Sequence, residues 1–389
     1  MRVLCSTTPM DGVFGPFIPL GRALVERGHD VIVATGSNLQ SAVEVHGFEY
    51  AQAGLSAWDG VRAAAEDPRV QAAPAGDRIA FPAAMFGYVH PAAKLLALRD
   101  LASSRSIDLI VHPPVDLSGP LLAAELGLPT ACYGFGQPFD PQVVAEMAER
   151  IRPAWESANL PPDPYGGIYR GRYLDPRPPS LRTGDDVPAA EGTLAIRPEI
   201  PGEPTATLPS WAATLGERPA VYLSLGTAPL FNQPEKFAPL LAGLAELDLD
   251  VVVTVSNLND PAALGNSRAN VHIEQWLPLA PLLPRCAAVL CHAGTGTTLA
   301  ALAAGLPLVL APQGADQFDN ARACERAGAA RVLMPDHVTG PAIRDAVGAI
   351  LDNESAERTG ALRLAGEIAA MPPPAQVADT LAAVIATRA

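Results

Sequence analysis

The 389-residue chain is short of charge and of aromatic groups: Asp, Glu, Lys and Arg make up 17% and Phe, Trp and Tyr 5%. The cationic share is the scarcest, with 27 Lys and Arg against 41 Asp and Glu and a net charge of -14. Phosphate-backbone binding rests on clustered cations, so this balance argues against a nucleic-acid binder or a protein of anionic membrane surfaces. A phosphate held here is expected to be met by backbone dipoles. The five cysteines (Cys5, Cys132, Cys286, Cys291, Cys324) are scattered and form no CxxC pair, which excludes a zinc knuckle and a disulfide scaffold. The longest apolar stretch, Leu299 to Pro312, is broken by Gly305 and Pro307 and falls short of the ~18 apolar residues a membrane helix needs. Met1-Arg2 leads straight into a strand-like run and not into a signal-peptide core, so the expected setting is cytoplasmic.

Apolar residues are abundant, at 49%. The chain length suggests two domains. Strand and helix signals alternate: strands at 2–6, 31–34, 108–111 and 130–135, and helices closed by Gly28 and Gly127. The alternation restarts at 220–225 and runs to helices near 339–351, 355–370 and 375–387. This is the pattern of parallel sheets covered by helices. Residues 55–95, with Trp58, Phe81, Phe86, Tyr88 and His90, read either as a surface excursion packed on its own aromatics or as an apolar ligand wall. Residues 160–210 are proline-dense and read as a connector. The expected organisation is a first domain over 1–200, a linker over 201–217, a second domain over 218–372, and a last helix over 373–389 that packs back on the first. A ligand cleft is expected at the carboxyl ends of the strands.

Four strand-to-turn junctions in the second half carry the chemistry. Cys291-His292-Ala293-Gly294-Thr295-Gly296-Thr297-Thr298 leads from a strand through small residues into a helix, whose free N–H groups can cradle phosphate. His292 can donate to a phosphate oxygen, whereas Thr295 and Thr298 are equally readable as helix caps. Asp316 and Gln317 offer a carboxylate and an amide suited to sugar hydroxyls. Ser224, Gly226 and Thr227 end a strand at the same edge, and Trp276 with Leu277 could lie against a base.

Together with Ala304-Gly305-Leu306-Pro307, Pro312-Gln313-Gly314-Ala315-Asp316-Gln317 and Asn320-Ala321, these runs resemble the nucleotide-sugar signature of GT-B glycosyltransferases. The branch resembled is the bacterial one that decorates macrolide and polyketide natural products. The resemblance extends to Pro9–Pro19, Gly28–Val31 and Met371–Ala375. It implies two Rossmann-like α/β domains facing each other across a cleft. It also implies inverting, metal-independent transfer of a deoxysugar from a dTDP- or UDP-sugar to a hydrophobic acceptor in antibiotic biosynthesis, without a cofactor, by a monomer or homodimer. By position, His292, Gly294, Thr295, Gly296 and Thr297 would hold the diphosphate, bordered by Ser224, Gly226 and Thr227. Trp276 and Leu277 would meet the base, and Asp316 and Gln317 the sugar. The resemblance does not cover residues 55–95 and 139–210; from apolar bulk alone Phe81, Phe86, Tyr88, Tyr133, Phe135 and Phe139, with Val13 of the first loop, are expected to face the acceptor. Asp248-Leu249-Asp250, the one DxD triplet, reads as a solvated strand entry and not as a metal site.

The sequence departs from the family at one place that matters. The family's base is a histidine in a first-loop stretch like Asp-Gly-His-Phe-Gly-Pro; here it reads Asp11-Gly12-Val13-Phe14-Gly15-Pro16. The partner aspartate position holds Pro113. Three readings follow. Another group takes the role, with Asp11, His112 and Asp116 as candidates and Asp140 more simply a helix cap. Alternatively the acceptor is a phenol that needs little help, as in C-glycosyltransferases of aromatic polyketides, or the chain is an auxiliary protein that binds nucleotide sugar or a partner enzyme. A GT-B-fold nucleotide-sugar epimerase is a further alternative.

Overall fold

In a computed structural model the described residues are 1–182, 192–228, 230–257, 259–265 and 268–386. They fall into two compact units. The first comprises Met1–Pro176, the described residues up to Ile196, and the chain from Pro372; the second comprises Arg197–Met371 with the short run after Arg177. The proline-dense connector is therefore not one linker, because two strands of the first sheet come from it.

The first unit is built on seven parallel strands: β1 (Arg2–Ser6), β2 (Asp30–Thr35), β3 (Glu49–Gln52), β4 (Leu109–His112), β5 (Thr130–Tyr133), β6 (Arg172–Asp175) and β7 (Thr193–Ala195). Their order is β3-β2-β1-β4-β5-β6-β7. The second unit has six: β8 (Ala220–Ser224), β9 (Asp250–Thr254), β10 (Val271–Glu274), β11 (Ala288–Cys291), β12 (Leu308–Leu310) and β13 (Ala330–Val332), in the order β10-β9-β8-β11-β12-β13. In both sheets the strand order reverses beside the first strand, between β1 and β4 and between β8 and β11. In doubly wound sheets that crevice is where ligands bind. The inner strands are fully buried apolar runs, as expected where helices cover both faces.

The segment 55–95 is not an irregular excursion. It is mostly helical: Ala57–Ala65, Pro68–Gln71 and Ala80–Ala84, then a π-helical turn at Met85–Val89 that runs into the helix His90–Ser104. Alanine, which packs without side-chain entropy cost, makes these helices possible despite their glycines and prolines. The closing helix, Pro374–Ala386, packs on the first unit, with Val377, Ala378 and Leu381 in one core with Phe17 and Leu24.

Candidate active site

The second unit brings its predicted residues together at the ends of β8 and β11. His292 follows β11, and its ring lies between two glycines. A Cβ on Gly226 would come within 2.6 Å of the imidazole Nε2, and one on Gly294 within 2.3 Å. Gly226 has φ +79°, a conformation costly for any other residue. A side chain at Gly294 would therefore collide with His292, whereas the space beside Gly296 is open. Burial holds the His292 pKa down to about 4, with the Ser224 backbone pulling the other way, so the ring is neutral near pH 7. Its Nδ1 is buried without a hydrogen-bond partner.

Gly294 begins the helix Thr295–Ala303 with no side-chain cap, which leaves first-turn N–H groups available to an anion. The Thr295 hydroxyl is already used: it donates to Asp316 Oδ2 at 3.0 Å and accepts from Asn320 Nδ2 at 3.0 Å. Asn320 Nδ2 also reaches Asp316 Oδ2 at 2.9 Å. Desolvation of the Asp316 carboxyl raises its pKa, and these two partners oppose that. Gln317 is buried, and its Oε1 accepts from the N–H groups of Gln313 and Gly314, leaving the amide NH2 as its outward donor. Ser224 is buried and accepts from Thr254 Oγ1 at 3.2 Å, while Thr227 is exposed. Leu277 is buried beside Trp276, whose indole is 60% exposed and open to stacking.

Sequence reasoning missed two features of this edge. Ala293 (φ +64°) and Ala315 (φ +52°) sit in left-handed backbone at the two junctions, and such strain in non-glycine residues collects at functional sites. Asn232 is buried, donates to the Gly226 carbonyl and is itself held by Asn259. No short motif announces this pair. Asp250, from the DxD triplet, is bound to Arg218 at 2.6 Å, and Asp248 to the same guanidinium at 3.4 Å.

Comparison with known proteins gives this arrangement its setting. Residues 238–384 match the family described as erythromycin biosynthesis protein CIII-like, C-terminal domain. Over 98% of both chains the protein is 33% identical to L-demethylnoviosyl transferase of Streptomyces niveus. It is 31% identical to elloramycin glycosyltransferase ElmGT of Streptomyces olivaceus, over 98% of this chain and 97% of that one. The crystal structure of the glycosyltransferase SnogD from Streptomyces nogalater matches with a TM-score of 0.78 at 28% identity, over 99% of each chain. SsfS6 from Streptomyces sp. SF2575, solved with thymidine diphosphate, matches at 0.79 and 25% identity over 98% of this chain and 99% of that one.

The chain belongs to the bacterial antibiotic glycosyltransferases. It is a GT-B enzyme of antibiotic biosynthesis that uses a nucleotide sugar.

In this glycosyltransferase the three base candidates of the first unit fare differently. Asp116 is buried, and every interaction it makes stabilises the ionised form. Oδ2 pairs with Lys94 Nζ at 2.5 Å and accepts from Ser6 Oγ at 3.1 Å; Oδ1 accepts the N–H groups of Ser118 and Gly119, each at 3.1 Å. Although burial raises its pKa most strongly among the single causes, Lys94 and these bonds outweigh it and leave the pKa lowered. With its oxygens committed, Asp116 is poorly placed to take a proton. His112 is fully buried with a pKa of about 4; its Nδ1 faces the Pro113 carbonyl at 3.0 Å, and the helix Ser118–Leu126 closes over it. Asp11 opens the short helix Asp11–Phe14; the residue is exposed overall, yet partial desolvation of its carboxyl raises its pKa. Val13, on the same helix, is buried. Asp140 caps the helix Pro141–Ser157 through the Gln142 N–H at 2.8 Å.

The aromatic set divides. Phe81 and Phe86 are half-buried against Met85 and Val89 and share that cluster with Met10 of the first loop. Tyr88 is exposed, and Phe135 and Phe139 meet edge to face at 6.0 Å. Tyr133 belongs instead to the core, its ring 5.6 Å from Phe17 and its hydroxyl spent on Thr7 Oγ1 at 2.9 Å. Among the described residues no helix is long and apolar enough to cross a membrane.

Proposed function

We propose that the enzyme moves a deoxysugar from a dTDP-sugar to a hydrophobic acceptor, with inversion at the anomeric carbon, without a metal and without the family's histidine base. The observation that carries this reading is the neutral His292 ring fixed between Gly226 and Gly294 beside an uncapped helix N-terminus. Those fixed donors face the place where diphosphate charge grows as the glycosidic bond breaks, which is the role preorganised dipoles perform best. The reading that no cation is needed rests on these donors and on Arg218 already binding Asp248 and Asp250. Trp276 stacks on the thymine, and the Gln317 amide meets a sugar hydroxyl. Thymidine diphosphate in the related SsfS6 supports dTDP as the donor nucleotide.

The acceptor is a phenol or another hydroxyl compound of aromatic polyketide or macrolide type, lying over the first unit. Its proton passes to Asp11, the one candidate carboxylate exposed and raised in pKa. The test combines dTDP titration with product analysis: a product whose anomeric configuration is opposite to that of the donor, formed in EDTA, is expected. Retention, or loss of turnover in EDTA, refutes the corresponding part. The valine at position 13 favours an aromatic acceptor whose phenol ionises with little help. Turnover on phenolic acceptors that survives D11N selects it.

A further inference from the structure

We infer that the buried Lys94–Asp116 pair is a positioning device that holds the first loop, Thr7 to Phe14, in one conformation for the transfer reaction. Its functional meaning rests on the proposed function, because that loop carries Asp11 and the vacated base position Val13. Both side chains are nine-tenths or more buried and meet at 2.5 Å. Lys94 Nζ also donates to the Thr7 carbonyl at 2.6 Å, at the point where the chain leaves β1. Asp116 takes Ser6 Oγ with one oxygen and the first N–H groups of the helix Ser118–Leu126 with the other. Three segments, β1, the helix His90–Ser104 and the β4 crossover, are thus tied under the loop at the topological switch of the sheet.

Stability alone does not explain this pair. A buried ion pair carries a desolvation cost that its attraction often only balances, and well-packed apolar groups commonly serve stability as well. An apolar pair could not grip the Thr7 carbonyl. The second anchor is independent: Asn38 donates to the Pro9 carbonyl at 2.9 Å and accepts from the Ala57 N–H at 3.1 Å, tying the loop to the helix Ala57–Ala65. Two side chains from different elements therefore hold carbonyls two residues apart, just ahead of Asp11. The i, i+4 partner of Lys94 on its helix is His90, which stacks on Phe86. The π-helical turn at Met85–Val89 lies immediately before them, and such turns are frequent where a helix must aim residues for use.

The test is amide hydrogen exchange on the full chain carrying K94M/D116N. This variant removes both charges and the Thr7 bond while the Asn oxygen keeps the helix cap. The expected result is at least about tenfold faster exchange at Met10, Val13 and Phe14, whose N–H groups bond within the loop. Amides of the helix Ser118–Leu126 stay within about twofold, the dTDP-induced melting shift is unchanged, and turnover falls. Loop exchange at the wild-type rate, or acceleration spread evenly over the first unit, overturns the assignment. If the double variant does not fold, K94M, which removes the Thr7 bond and leaves Asp116 to cap the helix, carries the same comparison. Absence of a dTDP shift in the wild-type protein would sink the dTDP-donor reading alone and leave the exchange result to judge the loop.

Discussion

Replacing Gly294 by alanine separates a role in making room for His292 from a role in touching ligand. Gly294 has φ -65° and ψ 135°, which alanine adopts freely, so the substitution adds no backbone strain beyond the loss of a favoured N-cap residue. The new methyl would lie 2.3 Å from His292 Nε2, and ordinary contact begins near 3.4 Å, so the ring must retreat by about 1 Å. With the ring also against Gly226, it leaves its place beside the helix N-terminus. A hydrogen bond to a charged group is worth about 1.5–3 kcal/mol, so G294A should weaken dTDP binding by roughly 10- to 150-fold. H292A should weaken it by the same factor, and H292A/G294A should be no weaker than H292A alone, because the methyl then fills space the ring has vacated. Calorimetric titration of dTDP into wild type, both single variants and the double variant closes the cycle. Losses that add, or wild-type affinity in G294A, would refute the clamp and return Gly294 to the role of ligand contact.

Other outcomes follow from the same geometry. W276A should lower dTDP affinity by about 1–3 kcal/mol, the usual worth of an aromatic–base stack, with no change in melting temperature because the indole is 60% exposed. D11N should cut kcat by about 10²–10⁴ if Asp11 receives the acceptor proton, with dTDP affinity intact; a smaller loss leaves a self-ionising acceptor in its place. His90, His112 and His292 have pKa values lowered by burial from 6.5 to about 4, so the unfolded chain binds more protons between those values. Stability is then complete above pH 6.5 and is lost as pH falls towards 4. Denaturation at stepped pH should show H112N flattening this slope by about 1.4 kcal/mol per pH unit.

The sheets were legible because buried parallel strands are uninterrupted apolar runs and because Gly28 and Gly127 mark helix ends. What escaped was written in weaker signals. Strand β3, Glu-Tyr-Ala-Gln, is an edge with polar residues, and β6 and β7 lie in proline-rich chain where length and pattern both fail. The helices between Ala57 and Ser104 hide behind Gly60, Gly87 and several prolines, whose local cost is met by tertiary packing that no window reveals. At the site, residue types were readable but allegiances were not. Thr295 and Asp316 turned out to hold each other, Gly294 serves a histidine two positions away, and Asp116 is bound to a lysine 22 residues earlier. Such pairings are made by the fold across sequence distance, so composition and spacing carry no trace of them.

The closing helix also sets the order in which the chain can be completed. Val377, Ala378 and Leu381 fill the same core as Phe17 and Leu24, and Asp379 clasps Arg27, so the first unit is unfinished until the last stretch has been made. During synthesis all residues of the second unit, which end at Met371, are made before the closing helix, whereas the earlier-made sheet waits with an apolar flank uncovered. The half that is begun first is therefore finished last, and its uncovered flank is the surface a nascent-chain chaperone would have to shield.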